Sequence, residues 1–428
     1  MDYTDYINLR YKPNGNDFIA EFRLEPARGV SFKEAAGAVA AESSVGTWTQ
    51  LTTITDKRLK QISAKVFSAN EKSGIIKIAY PSELFEFGNI PQLMSSIAGN
   101  VFGMRLLNNL RLEDINFPNA YIRAFKGPKY GIPGIRKLLR VYKRPLLGTI
   151  IKPKLGLDEK EHAQVAYQAW LGGCDIVKDD ENLSSMKFNR FYKRIAKTIN
   201  LRDKCEKETG EKKIYMPNIT AECDEMLKRA EFVKKVGCEY AMVDVLTVGW
   251  SALQKLRKEN EDLKLVLHAH RAGHAAITRN PRHGISMLVI AKLCRLIGMD
   301  QLHIGAIVGK MEGGKKEVQG IGEEIEHKFI HPNKKQHVLA ENWLHIKPMF
   351  AVCSGGLHPG KVPALVNALG KDIIIQMGGG IHWNPRGSYY GALGARQALE
   401  ATMHGIPLRD YAKYHRELRE ALDKFGDS

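Results

Sequence analysis

From Arg144 to the C-terminal end, short apolar runs of strand length alternate eight times with longer segments of helical period, and this alternation constrains the fold more than any other feature. The runs fall at 146–152, 174–178, 214–219, 240–246, 263–268, 301–307, 349–353 and 373–377. After the first run, Ala163, Ala166, Tyr167 and Trp170 recur at helical spacing; after the fifth, Met287, Val289, Ile290, Leu293 and Leu296 mark a second apolar face. Eight such alternations predict an α/β architecture, a closed (β/α)8 TIM barrel with C-terminal helices rather than an open doubly wound sheet. Chemistry in such a barrel is expected at the C-terminal ends of the strands.

The residues ahead of the barrel follow no regular repeat. Residues 17–24 alternate like a strand, Ser31-Phe32-Lys33-Glu34 opens a helix with capping-box spacing, and strand-like runs follow at 64–67 and 74–79. An α+β domain is therefore expected over 1–140, ending near the Gly/Pro-punctuated segment 127–134, with the barrel over 141–428.

Composition narrows the function classes. A chain of 428 residues with 44% hydrophobic content can bury a large core. No window approaches the roughly 18 uninterrupted apolar residues of a membrane span, and Met1-Asp2-Tyr3-Thr4-Asp5 lacks a basic stretch followed by an apolar one, so a cytoplasmic protein without a membrane partner is expected. The six cysteines are scattered without metal or redox spacing and read as reduced packing residues. The net charge of +17 invites a nucleic-acid partner or scaffold role. The basic residues alternate with acidic ones, however, as in Lys228-Arg229-Ala230-Glu231 and Arg257-Lys258-Glu259-Asn260-Glu261, which is the pattern of a solvated helix face. No nucleic acid is expected, and a positive field equally suits a small anion.

The strand ends carry the candidate chemistry. In Lys152-Pro153-Lys154, alternation sends both lysines toward the barrel mouth, which suits an anionic substrate; a pair of snorkelling surface lysines would look the same in isolation. In Lys178-Asp179-Asp180-Glu181, Lys178 and Asp180 share a face with Glu181 at the turn, and carboxylates this dense repel unless a cation joins them. Oxygen ligands point to Mg2+ rather than zinc, and Lys178 converted by CO2 to a carbamate would supply a third carboxylate-like ligand. Asp179 is expected in an exposed acidic turn. His268-Ala269-His270-Arg271-Ala272-Gly273-His274 allows a zinc site through its histidines, whereas Arg271 argues for phosphate. His303 precedes Val308-Gly309-Lys310-Met311-Glu312-Gly313-Gly314, a lysine on a glycine-flanked loop that either closes over a substrate or simply connects two elements. Ser354-Gly355-Gly356 and Gly378-Gly379-Gly380 let backbone N–H groups approach phosphate oxygens.

Taken in order, Gly148-Thr149-Ile150-Ile151-Lys152-Pro153-Lys154, Gly172-Gly173-Cys174-Asp175-Ile176-Val177-Lys178-Asp179-Asp180-Glu181, His268-Ala269-His270-Arg271, Val308-Gly309-Lys310 and Ser354-Gly355-Gly356 resemble the motifs of the ribulose-1,5-bisphosphate carboxylase large subunit. Glu42, Thr47-Trp48 and Gly99-Asn100-Val101-Phe102-Gly103 extend the resemblance into the N-terminal region. The wording looks most like the archaeal type III or intermediate II/III branch, which is associated with AMP breakdown. The resemblance implies a ferredoxin-like N-terminal domain that completes the barrel site of a partner, hence a homodimer or higher assembly of dimers without a small subunit. It implies Mg2+ held by carbamylated Lys178, Asp180 and Glu181. It also implies that CO2 and water are added to ribulose 1,5-bisphosphate to give two 3-phosphoglycerate, with O2 as a competing substrate. Lys178 would take the first proton, Lys152 give the last, His270 assist proton movement and Lys310 stabilise the new carboxylate. The implied substrate contacts are Glu42, Thr47, Trp48, Asn100, Lys154, Arg271, His303, Ser354, Gly355, Gly356, Gln376, Gly378 and Gly379. Departures are Ile150 where plant members have threonine, with Thr149 one step earlier, the small Gly273, and His382-Trp383 after the last glycine nest. A carboxylase-like enolase or isomerase of methionine salvage is the rival reading, which retention of Lys152, Lys310 and Glu42 disfavours.

Overall fold

The computed structural model describes residues 2–47, 49, 51–307 and 314–427. They form two compact units, one made of the chain through Gly127 with Gly273–Ile297 and His327–Ile346, the other of Pro128–Ala272, Gly298–Glu326 and Lys347 onward.

In the first unit, strand Asp17–Pro26 pairs antiparallel with Ile75–Pro81 on one side and Leu107–Asn116 on the other; Lys65–Asn70 and the short parallel Gly284–Ile285 complete a five-stranded sheet. Its alternation puts Phe18, Ala20, Phe22 and Leu24 in the core. Helix Phe32–Glu42 starts where Ser31 Oγ accepts the Glu34 N–H at 3.1 Å, and its run of small residues is buried.

The second unit is the barrel. Its parallel strands are Leu146–Ile150, Ile176–Lys178, Ile214–Met216, Tyr240–Asp244, Val266–His270, Gln301–Gly305, Phe350–Ser354 and Ile373–Met377. The eighth pairs with the first, leaving the third and fourth as the sheet ends. A parallel bridge between Asn218 and Met242 joins those ends, with the Met242 N–H on the Pro217 carbonyl at 2.8 Å and the Ile219 N–H on the Met242 carbonyl at 2.9 Å. Each predicted run overlaps one strand, most of them trimmed where the chain turns out of the ladder; the fifth runs two residues further than expected, through His270, and the seventh one further, through Ser354. Helix Gly131–Leu139 packs Ile132, Ile135 and Leu139 against the opening residues of the strands, Leu146, Ile176, Ile214, Tyr240, Val266 and Phe350. The N-terminal end of the barrel is thus covered by apolar packing. On the outside, helix Glu159–Leu171 buries Ala163, Ala166, Tyr167 and Trp170, the residues its period singled out. All six cysteines are unpaired thiols, and among the described residues no helix is long and apolar enough to cross a membrane.

Candidate active site at the C-terminal ends of the barrel strands

Lys178 closes the second strand and is only 2% exposed. Its Nζ donates to the Asp179 carbonyl at 2.8 Å and lies 3.1 Å from Met242 Sδ. Burial holds the ammonium below its ordinary range, against the pull of Glu181, Asp180 and Asp244. A lowered pKa raises the share of neutral amine, the form that reacts with CO2. Asp180, 1% exposed, accepts the Lys152 Nζ at 2.5 Å. Burial alone would raise its pKa, but the Lys152 ammonium outweighs that and keeps the carboxyl below its ordinary range. Asn218 Nδ2 donates to the Glu181 carbonyl at 3.0 Å and the Leu183 carbonyl at 3.3 Å, fixing the turn that carries both carboxylates.

Across the mouth, His270 Nδ1 lies 2.8 Å from Asp244 Oδ1, and its Nε2 is 3.7 Å from Glu181 Oε2. The carboxylate fixes the Nδ1–H tautomer and points Nε2 toward the acidic turn. Arg271 Nε donates to His303 Nδ1 at 3.1 Å, and His268 Nδ1 meets Gln301 Oε1 at 3.2 Å. Burial, reinforced by Lys178 for His268 and by Arg271 for His303, holds both imidazoles well below their usual range. Burial also lowers Arg271 to about 10. His268, His270 and His303 each have a hydrogen-bonding partner, Gln301, Asp244 and Arg271; among the described residues no three His, Cys, Asp or Glu side chains are grouped to hold a metal.

Asp179 corrects an expectation. It is fully buried, not exposed, and accepts from Tyr215 Oη at 2.7 Å and the Asn218 N–H at 3.1 Å, with His162 Nε2 at 3.0 Å and Arg194 Nη2 at 3.2 Å. Strand alternation is the reason: Lys178 and Asp180 face the mouth, so Asp179 points outward, where helices Glu159–Leu171 and Phe191–Thr209 supply His162 and Arg194.

Of the remaining candidates in this unit, Lys154 is exposed and donates to Asn182 Oδ1 at 2.9 Å. Gly355 and Gly356 have φ of 115° and 70°, which glycine adopts without strain. Gln376 is buried on the eighth strand, and among the described residues neither of its side-chain amide atoms has a hydrogen-bond partner. Gly378 allows close approach of Lys152, whose Cε would stand 3.1 Å from a Cβ placed there. Residues that escaped the sequence reading include Asp244, which holds His270, Asn218, which fixes the acidic turn, and Gly305, at φ 98°, where a Cβ would fall 2.6 Å from Arg271 Nη2. The signal for Gly305 was a glycine ending the strand that carries His303.

In the first unit, Glu42 ends helix Phe32–Glu42, Thr47 is buried with Oγ1 donating to the Thr49 carbonyl at 2.9 Å, and Asn100 begins the turn Asn100–Gly103. Trp48 and Lys310 lie outside the described residues.

The catalytic-domain model of the ribulose bisphosphate carboxylase large chain matches residues 131–425, and the model of its N-terminal domain matches 5–121. The chain belongs to this carboxylase family. Among its relatives is the ribulose bisphosphate carboxylase of Methanosarcina mazei, 52% identical, with 98% of this chain and 99% of the relative aligned. The dimeric archaeal Rubisco of Hyperthermus butylicus superposes at a TM-score of 0.94 with 45% identity, covering 100% of both chains. The octameric Rubisco of Pyrococcus horikoshii gives 0.93 with 47% identity, covering 100% of this chain and 98% of the other. Within the Rubisco family frame, Lys152, Lys178, Asp180, Glu181 and His270 converge at one end of the barrel, as their order along the chain implied.

Proposed function

We infer that this chain is a ribulose bisphosphate carboxylase, a carboxy-lyase that adds CO2 and water to ribulose 1,5-bisphosphate to give two 3-phosphoglycerate. The observation that carries the reading is the buried amine of Lys178 beside two carboxylates, Asp180 and Glu181. Two carboxylates and an amine are a poor cation site, whereas two carboxylates and a lysine carbamate offer an all-oxygen donor set suited to Mg2+. An ion held by Lys178 as its carbamate, Asp180 and Glu181 would supply Lewis-acid polarisation of the sugar's carbonyl and hydroxyl oxygens. Lys178, as its carbamate, takes the C3 proton; Lys152 returns a proton at the end of the reaction, and His270, held by Asp244, assists between. Lys310 stabilises the carboxylate that forms from CO2. Arg271, His303, Ser354 and the nests at Gly355-Gly356 and Gly378-Gly379 hold the two phosphates, and Lys154 and Gln376 add polar contacts.

Dissolved CO2 presents no handle for binding, so the enediolate must wait for it and is open to O2. Within the expected N-terminal domain, 1–140, the unit through Gly127 supplies Glu42, Thr47, Trp48 and Asn100, which complete the site of a partner's barrel. The dimeric and octameric assemblies of the Hyperthermus and Pyrococcus relatives support a homodimer or assembly of dimers, and the proposed assembly includes no small subunit. The resemblance to the archaeal branch carries the further reading of a cytoplasmic enzyme in AMP breakdown. The deciding experiment incubates the protein, pre-exposed to CO2 and Mg2+, with ribulose bisphosphate and labelled bicarbonate. Labelled phosphoglycerate is expected; enolisation without label incorporation would favour the salvage-type enolase.

A further inference from the structure

Three consecutive glycines are the most conformationally free backbone a chain can have, so a phosphate nest built from them must be held from outside. Gly378-Gly379-Gly380 has Met377 on one side and, after Ile381, His382 on the other. The one-turn helix Gly379–His382 folds the chain back, and a single side chain from the first strand meets both flanks: Thr149 Oγ1 lies 2.6 Å from the Met377 carbonyl and 2.9 Å from His382 Nε2. His382 Nδ1 lies in turn 2.8 Å from Ser388 Oγ.

The proton order follows from the donors. A carbonyl only accepts, so the single hydroxyl proton of Thr149 goes to Met377. Thr149 Oγ1 must then accept from His382, which places the imidazole proton on Nε2 and leaves Nδ1 to accept from the Ser388 hydroxyl. Burial supports a neutral ring, lowering the His382 pKa to about 4 despite the Ile150 carbonyl, which favours the proton. The chain thus runs one way, Ser388 to His382 to Thr149 to Met377.

We propose that Thr149 and His382 are positioning residues that clamp the two ends of the Gly378-Gly379-Gly380 nest, so that it meets a phosphate of the bisphosphate substrate in one fixed conformation. The clamp also sets the nest against Lys152, whose Cε lies 3.1 Å from the place a Gly378 Cβ would occupy. It rests on the carboxylase reading, which makes the nest a phosphate site. Neither residue touches the reacting atoms; both act through the backbone between them.

The test is a double-mutant cycle on the full-length protein, reading ribulose bisphosphate affinity by calorimetry together with KM for each substrate. Thr149→Val keeps the shape and loses the hydroxyl; His382→Leu loses the donor. Each is expected to weaken bisphosphate binding on the order of 10-fold, the effect of one hydrogen bond to a group left buried. The KM for CO2, which makes no use of the nest, should stay within about 2-fold, a split that general loosening of the barrel would not produce. The double variant should bind no worse than the weaker single one, because one clamp is lost in either case. Thr149→Ser and His382→Gln, which restore a hydroxyl and an N–H, should recover most of the affinity. Should His382→Leu fail to fold, Ser388→Ala replaces it, with a smaller loss in the same KM alone. Unchanged affinity, or single effects that multiply in the double variant, would overturn the clamp while wild-type carboxylation leaves the functional reading intact. A wild-type protein that does not bind the bisphosphate would overturn the carboxylase reading and the clamp with it.

Discussion

Lys178 shows how one side chain's surroundings set its chemistry. Burial disfavours its ammonium although the carboxylates of Glu181 and Asp180 stand beside it, and the proposed function rests on that amine being converted to a carbamate. Lys178→Ala should therefore abolish labelled phosphoglycerate formation even after preincubation with CO2 and Mg2+, and near-normal turnover would show that the metal site is misassigned. Lys310→Ala separates two steps. Enolisation needs no charge from Lys310, whereas CO2 capture creates a carboxylate that an ammonium stabilises in the later transition state. Exchange of the C3 hydrogen with solvent should persist while carboxylation falls on the order of 100-fold; carboxylation at the wild-type rate would remove Lys310 from CO2 chemistry. At this scale the sequence was most legible where a residue type has few uses, as for the lysines and carboxylates at strand ends. Asp179 was misread because its neighbours drew attention to the mouth, although the same alternation that faced them inward turned it outward onto Arg194 and His162. Gly305 left no more signal than a glycine at a strand end, because its need lies in a guanidinium that reaches it from another strand.

The strands were legible as elements because eight apolar runs of the right length can hardly be anything else between helical segments. Their ends were not, since a ladder stops where the barrel geometry turns the chain away. Nor does periodicity show what covers an element: helix Met287–Ile297 is buried at every position, its Lys292 and Arg295 included, and burial on every side does not say which neighbour it packs on. Polar ties between elements are equally hidden. Asp175, just before the second strand, accepts both Arg144 Nη1 at 2.6 Å and Nη2 at 2.7 Å, and the Leu147 N–H at 2.8 Å, binding the start of the first strand to the second. Burial would raise the Asp175 pKa, but Arg144, helped by Arg396 and the Leu147 N–H, outweighs it and holds the group below its ordinary range. A folded pKa below the unfolded value, about 3.9, means the tie contributes fully at neutral pH and is lost as pH falls through the folded value. Asp175→Asn should destabilise by about 3–5 kcal/mol, the effect of breaking a buried pair. It should also flatten the acid limb of a plot of denaturant-derived stability against pH. An unchanged acid limb would show that the pair does not link folding to protonation.

At the scale of the whole molecule, the barrel face and the N-terminal residues Glu42, Thr47 and Asn100 belong to different compact units of one chain. Lys152, Lys178, Asp180, Glu181 and His270 could be assigned to one barrel face from strand order alone, but no pattern within a single chain tells whether its N-terminal residues serve its own barrel or another's. Subunit complementation answers this. Asn100→Ala and Lys178→Ala each inactivate every site in their own dimers, whether sites are shared or not. In a mixed dimer with shared sites, the intact N-terminal residues of the Lys178→Ala chain face the intact barrel of the Asn100→Ala chain, so one site of the two is whole. After free exchange half the dimers are mixed, and activity should return to about a quarter of wild type in a symmetric assembly. With sites built within one chain, every site in a mixed dimer carries one of the two substitutions and no activity returns. Exchange is verified by mass-tagging one partner before carboxylation is measured, so a mixture that has exchanged yet stays inactive would count against the shared site.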